Sequence, residues 1–467
     1  MSIDDLGNEV STDSAEVLAG LNDFGGGFLA YETRAERILD VAQAHPEALL
    51  AQVYAGFLWL FLESPEGPVQ ARRYLASAER VQGTGNEREV LHVDILRSWI
   101  DDDIPEALRR AEALTDRFPH DLVITKLLQY LAFNRGDSPL MLRAILKVLD
   151  ANRQVPYAHG MAAFAYEQCH LLTDAEREAR EAVALKAKEP WAQHALAHVL
   201  LTQGRIEEGT RFLEQARSTW SGLNSFMYTH LWWHLAVFYL SRGRAREALA
   251  IYDEHVWGIA KTYSQDQIGA VQLLTRLELA GVDVGDRWTD LADHIAARGD
   301  DTVQPFLSLL YLYGLARDGR PQAGTLLAAI EQQAAQALPH SRETWTRVAV
   351  PAAQGLHAYA QGDYERARVR LADALPALVG IGGSHAQRDL FVQLQLSAEL
   401  QSGHWLAVQQ ALESRRIGDP DDVLVNRALA QIYAAIGLPA LASQAQQRVA
   451  HVLERSPAAT PAASTDA

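Results

Sequence analysis

Small and apolar residues recur along the chain at spacings that helices explain and strands do not. Gly204 with Gly209, Gly243 with Ala248, Gly362 with Ala367 and Gly437 with Ala442 are each five places apart. Four and eight places before three of these glycines stand Leu200 and Leu196, Tyr239 and Leu235, and Tyr433 and Leu429. Nine and twelve places after a turn glycine come Leu213 and Ala216, or Leu371 and Ala374. Such spacing predicts two antiparallel helices joined at a tight turn, with small residues where they cross closely.

The anchors Ala107, Met141, Ala175 and Gly209 lie 34 residues apart, the period of a tetratricopeptide repeat. Phe118–Pro119 and Glu189–Pro190 fall where such a repeat places its terminal proline. Looser pairs centre on Ala71, Gly324 and Ala407, and Lys261 to Arg298 reads as another pair split at Gly281–Gly285. No β-branched alternation persists beyond a few residues. The expectation is an all-α solenoid of tetratricopeptide-type hairpins, a right-handed superhelix of about ten or eleven pairs over residues 30–454. Residues 1–29 read as a lead-in segment closed by a turn at Gly25-Gly26-Gly27, and residues 455–467, rich in Ala, Ser, Thr and Pro, as a disordered tail.

Composition narrows the partners. With 467 residues, 42 Lys+Arg, 59 Asp+Glu and a formal charge of −17, the chain is ill suited to hold nucleic acid or an anionic membrane through a broad basic surface. Length alone suggests about three domains, and the repeat pattern replaces them with one solenoid. The single cysteine, Cys169, forms neither an internal disulfide nor a metal cluster and suits a reducing compartment. The start MSIDDLGNEVSTD lacks a signal-peptide pattern, and the longest apolar run, Ala48 to Leu62, is short of the roughly 18 residues of a membrane span. A cytoplasmic location is therefore expected.

In this repeat the first helix of each pair turns positions 2, 5, 9, 12 and 13 toward the concave groove. Counting from the turn glycines and crossing anchors puts His194 and His198 at positions 5 and 9, and His230, Trp233 and His234 at 2, 5 and 6. Glu167 falls at position 12 one repeat earlier, and His92 at position 5 nearer the N-terminus. His194/His198 and His230/His234 are both i,i+4 pairs, so each pair shares one helix face. That spacing suits zinc or iron at His194, His198 and His230, with Glu167 as a carboxylate neighbour. It also suits acid–base work, with Glu167 fixing a tautomer, or plain hydrogen bonding between helices. No H-E-x-x-H occurs, so no metal or other cofactor is assigned, and zinc or iron stays the secondary alternative.

Trp232 reads as core, Trp233 as a stacking wall for a ligand, and Trp191 as a residue of the groove margin. In Gly380-Ile381-Gly382-Gly383-Ser384-His385-Ala386-Gln387-Arg388-Asp389, glycines end one helix and Ser384 caps the next. His385, Gln387, Arg388 and Asp389 would then form an anion site at the helix start, the alternative being a simple capping loop. Phosphate-loop, dinucleotide and nucleophile-elbow motifs are absent.

The chain resembles the tetratricopeptide-repeat protein 38 family. The carrying segments are Arg88–His92, Gly160–Glu167, Trp191–Val199, His230–Ala236, Tyr252-Asp253, Gly285–Trp288 and Gly382–Asp389. The resemblance implies an all-helical soluble repeat protein and lends little chemistry, since the family has no general assigned reaction. It departs from the family pattern at Leu201, at Gly269 after the acid matched by Asp266, and at Ser308 and Leu310, where acidic residues or a histidine are expected.

The functional expectation is a His-rich groove that binds a small polar or anionic organic ligand. In its catalytic version, hydrolase- or lyase-type, His194, His198, His230 and His234 act as acids, bases or oxyanion stabilisers. Glu167 orients one imidazole, and Arg388 neutralises a ligand anion. The competing expectation is an adaptor that holds a peptide, a partner protein or a second copy along the concave face. Peptide-clamping repeats favour Asn, Lys and Arg at inner positions, whereas this chain places His, Glu and Trp there.

Overall fold

A left-handed turn residue five places before each anchor sets the geometry of the hairpins, a glycine in most and Asp102 or His170 before Ala107 and Ala175. In the computed structural model, which describes residues 2–455, Gly204, Gly243, Gly362 and Gly437 all take a left-handed φ between +68° and +80°. That conformation reverses the chain between paired helices such as Pro190–Thr202 and Ile206–Ala216. Asp103, Asp121, Asp137, Asn224, Asp363 and Ser384 cap helix starts through their side chains. The period anchors Ala107, Met141 and Ala175 are all 2% exposed or less. Lys261–Arg298 holds the helices Ser264–Leu279 and Arg287–Ile295, as the break at 281–285 predicts.

The architecture is an all-α helical-repeat array in which each helix packs on its sequence neighbours. A Cβ added at Gly209 would run into the ring of Phe238, itself fully buried on Ser225–Ser241. Gly209→Ala is therefore expected to lower unfolding free energy by about 1–3 kcal/mol, although alanine is the better helix former. Urea titration reads this directly, and an unchanged or higher midpoint would show that the helices do not need this close approach.

Two expectations fail at the N-terminus. Ser2–Ile3 pairs antiparallel with Glu9–Val10, a short hairpin where no strand is expected. Gly25-Gly26-Gly27 does not form a turn; it lies inside the helix Ala15–Ala30, which ends at Tyr31 with φ +56°. The glycine run serves close approach instead: a Cβ on Gly27 would sit 2.7 Å from the backbone nitrogen of Ala35. The helix is thereby folded tightly onto the segment Thr33–Arg37. The tail after residue 455 lies outside the described residues.

Successive turns of the array also touch one another. Ser264 Oγ donates to the Leu62 carbonyl at 2.9 Å, and Gln304 Nε2 reaches Glu63 and the Tyr130 hydroxyl, each at 3.0 Å. Farther on, Arg135 Nη1 meets His340 Nδ1 at 3.3 Å, and Arg242 pairs with Asp419 at 2.8 Å. The N-terminal segment fills the inside: Asn224 N donates to Tyr31 O at 2.6 Å, and Lys188 pairs with Glu32 at 2.9 Å. The concave groove that the repeat pattern predicts is, at this level, a partly enclosed space.

Candidate functional site

That space is a cavity of about 510 Å³. The helix Ala15–Ala30 and the residues after it line it with Phe28 and Tyr31, Leu122–Phe133 contributes Lys126 and Tyr130, and the His-bearing helices contribute Trp191, His194 and His230. Apolar side chains, ten of them Phe, Tyr or Trp, make up most of its surface, and Glu32, Glu36, Glu63 and Lys126 bring charge into it. A buried apolar cavity with sparse convergent polar groups is the usual form of a small-ligand site.

Beside the cavity lies a histidine cluster, of which His194 and His230 reach the lining. His194, His198, His230 and His234 are all at most 7% exposed, and one ring nitrogen from each lies within 4.8 Å of those of the others. His194 Nε2 is 3.0 Å from His198 Nε2 and 3.1 Å from His230 Nε2. The i,i+4 spacing on Pro190–Thr202 and Ser225–Ser241 brings each pair to one face, and packing of the two helices brings the pairs together. Glu167, fully buried on Pro156–Gln168, puts Oε1 3.4 Å from His198 Nδ1 and takes a 2.5 Å bond from Gln168. Burial would raise the Glu167 carboxyl, but the adjacent His198 outweighs it and holds the group below its ordinary range. The carboxylate faces His198 Nδ1 and favours a proton there, which leaves Nε2 toward His194, although Oε1 itself takes no hydrogen bond.

The remaining rings are poorly partnered. Among the described residues, His194 Nδ1 and both ring nitrogens of His234 are buried without a hydrogen bond. Each such orphan costs about 1–3 kcal/mol in a closed interior. Desolvation, reinforced by His198, pushes His230 down to about 3 and His194 and His234 well below their ordinary value. These imidazoles are neutral at physiological pH, poor proton acceptors there but able to ligate a metal through a ring nitrogen. Aromatic faces hold them in place: Trp191 stacks on His194 at 4.6 Å, and Trp233 stacks on His230 at 5.4 Å.

The other expected site residues are dispersed. Trp233 is 1% exposed, under Arg276 at 5.0 Å, and backs the cluster without lining the cavity. Trp232 is core, as expected, stacked on His255 at 3.8 Å. His92 is not in the cavity: it belongs to a separate buried cluster, 3.0 Å from Asp121, which in turn pairs with Arg88 at 2.6 Å. Ser384 caps His385–Gln401 and forms a capping box with Gln387, whose side chain also reaches the cavity lining. Arg388 turns back onto the carbonyls of Gly382 and Gly383, and Asp389 pairs with Arg415 at 2.5 Å. Asp389 is thus neutralised from outside the loop, whereas Arg388 meets backbone carbonyls. His385 lies behind the cluster, 3.2 Å from the Gln168 carbonyl, and burial pushes it down to about 4.

Sequence reasoning missed the buried ionisable groups Lys126, Glu189 and Glu63, of which Lys126 and Glu63 line the cavity. Lys126 is 7% exposed, donates to Leu29 O at 3.1 Å and lies 3.6 Å over the Tyr31 ring. Burial pushes its ammonium down to about 7, against a weak pull from the Glu189 carboxylate. Glu189, the N-cap of Pro190–Thr202, is fully buried and pushed up to about 7 for the same reason. Glu63 is raised by burial too, although Tyr130, Gln265 and Gln304 all donate to it. The available signal was Lys126 itself, the sole charge in the apolar helix Leu122–Phe133.

No described helix is long and apolar enough to cross a membrane, and no family model matches the sequence. Among solved structures, human IFIT1 as a dimer with PPP-AAAA is 14% identical, covering 93% of this chain and 99% of its own, with a TM-score of 0.39. A monomeric IFIT1 mutant with Gppp-AAAA is 12% identical over 94% of this chain and 100% of its own, at 0.41. The APC/C hetero-tetramer Cut9–Hcn1 is 11% identical over 95% and 89%, at 0.37. The all-α helical-repeat fold rests on this chain's own hairpins.

Proposed function

We propose that the protein binds a small organic molecule inside the partly enclosed cavity, a molecule with an apolar body and one acidic group. Lys126 carries the reading. It is a buried ammonium that lines the cavity and, among the described residues, forms no ion pair. A bound carboxylate would pair with the ammonium at contact distance, as Glu189 does not, and restore the proton that burial displaces. Phe28, Phe133, Phe164 and Phe226 offer apolar surface to the rest of the ligand. The contacts between turns of the array, and the N-terminal segment packed inside it, favour a small molecule over an extended peptide. The segments shared with the tetratricopeptide-repeat protein 38 family support placing the chain near that family.

The test compares aryl and alkyl carboxylates with their primary amides. The acid is expected to bind about 10–100-fold more tightly than its amide, the value of one buried charge-assisted hydrogen bond. Lys126→Met should erase that preference while leaving amide affinity in place. Equal binding of acid and amide by the wild type, measured by calorimetry, would sink the assignment.

A further inference from the structure

We propose that His194, His198, His230 and His234 bind one divalent late first-row transition metal ion, of which zinc is the probe. Three Nε2 atoms converge, with His194 Nε2 at 3.0 Å from that of His198 and 3.1 Å from that of His230. Glu167 faces His198 Nδ1 at 3.4 Å, which leaves the His198 Nε2 turned toward His194 as a ligand atom. One N–H on His194 Nε2 cannot point along both contacts, and protons on both His194 and His230 Nε2 would collide. Hydrogen bonding therefore leaves the meeting point short of partners, while a cation there would accept every lone pair at once.

The dimensions agree. Ligands 2.0–2.1 Å from a tetrahedral zinc stand roughly 3.3 Å apart, a few tenths more than the shortest nitrogen separations here. His234 supplies the fourth nitrogen: all four donor atoms fit within 4.8 Å, and neither nitrogen of its ring has another partner among the described residues. Four imidazoles without a thiolate favour zinc, copper, iron or nickel over calcium or magnesium. The Glu167–His198 contact is the carboxylate–histidine pairing that orients metal ligands. His194 and His230 also line the cavity, so the ion would be reached from it.

The inference stands apart from the carboxylate reading, since zinc uptake is measured with the cavity otherwise empty. The full chain is stripped with chelator, dialysed and titrated with zinc against a chromophoric competitor, with bound metal counted by elemental analysis. Stoichiometric uptake is expected, together with a rise in melting temperature as binding favours the folded state. The paired substitution His194→Gln/His198→Gln should abolish uptake, whereas His451→Gln, on the exposed face of Pro439–Arg455, should not. X-ray absorption of the wild-type complex keeps the test independent of whether the double variant folds. A shell of imidazole nitrogens near 2.0 Å is expected. Failure of the wild type to take up zinc, equal uptake by a folded double variant, or a shell without imidazole would each overturn the assignment.

Discussion

Asp121→Ala is expected to lower unfolding free energy by about 3–5 kcal/mol, a large fraction of what holds an ordinary domain together. Asp121 is 1% exposed and does three jobs at once. Its Oδ1 accepts from Ile124 N at 3.0 Å and caps Leu122–Phe133, while its Oδ2 stands 2.6 Å from Arg88 Nη1 and 3.0 Å from His92 Nε2. Arg88 and His92 are 3% and 0% exposed, so removing the carboxylate strands a buried guanidinium. Burial would raise the Asp121 carboxyl, but His92 and Arg88 together hold it well below its ordinary range. Its folded pKa is depressed, so its stabilisation is present above the unfolded value of about 4 and is lost as pH falls below it. Denaturant titrations at pH 7 and at pH 3 should show the gap between wild type and Asp121→Ala narrowing in acid. A loss below about 1 kcal/mol at pH 7 would show that the cluster is dispensable.

The same cluster explains where repeat arithmetic misleads. Position 5 turns His92 inward as it does His194, but the inner surface there is occupied by the chain's own start. Arg88 Nη2 donates to Glu9 O at 3.0 Å, Ser11 N donates to Glu89 at 2.9 Å, and Asn8 reaches the His120 carbonyl at 3.2 Å. The N-terminal hairpin covers this stretch of the inner face, and His92 ends in an ion cluster beneath it. Nothing in a 34-residue period foretells which repeats will be covered.

What periodicity reports is local. It places the turn at Gly204, the crossing at Gly209 and the meeting of His194 with His198, because each depends on residues a few places apart. Adjacent helices extend this by one repeat, which is why the His194–His230 convergence and the Glu167 contact are also readable. Contacts such as Ser264 to Leu62 or Arg242 to Asp419 join residues far apart in sequence, and they depend on how tightly the superhelix winds. That winding shapes the groove into a cavity, and it makes Lys126 and Glu63 buried lining groups rather than surface charges.

Asp266→Asn should raise stability at pH 8 by up to about 4 kcal/mol, the opposite sign from most substitutions at a buried position. Asp266 is 1% exposed on Ser264–Leu279, where its carboxyl accepts from Ala260 N at 3.2 Å and Thr229 Oγ1 at 3.4 Å, and faces Ser225. Burial outweighs those bonds and pushes it up to about 7. Between pH 4 and 7 the folded chain therefore holds a proton that the unfolded chain has released. Stability falls as pH rises through that window, by up to about 1.4 kcal/mol per unit, and the deficit persists above it. Asparagine cannot ionise, and the Thr229 and Ser225 hydroxyls can reverse their roles to accept from its amide. Wild type and variant should thus match near pH 4 and diverge to pH 8; parallel stability curves would refute the raised carboxyl. Ala260 and Ser225 both line the cavity, so this acid sits one residue behind the proposed binding space. An ionisable group kept there at a cost in stability is what selection for a site, rather than for a core, retains.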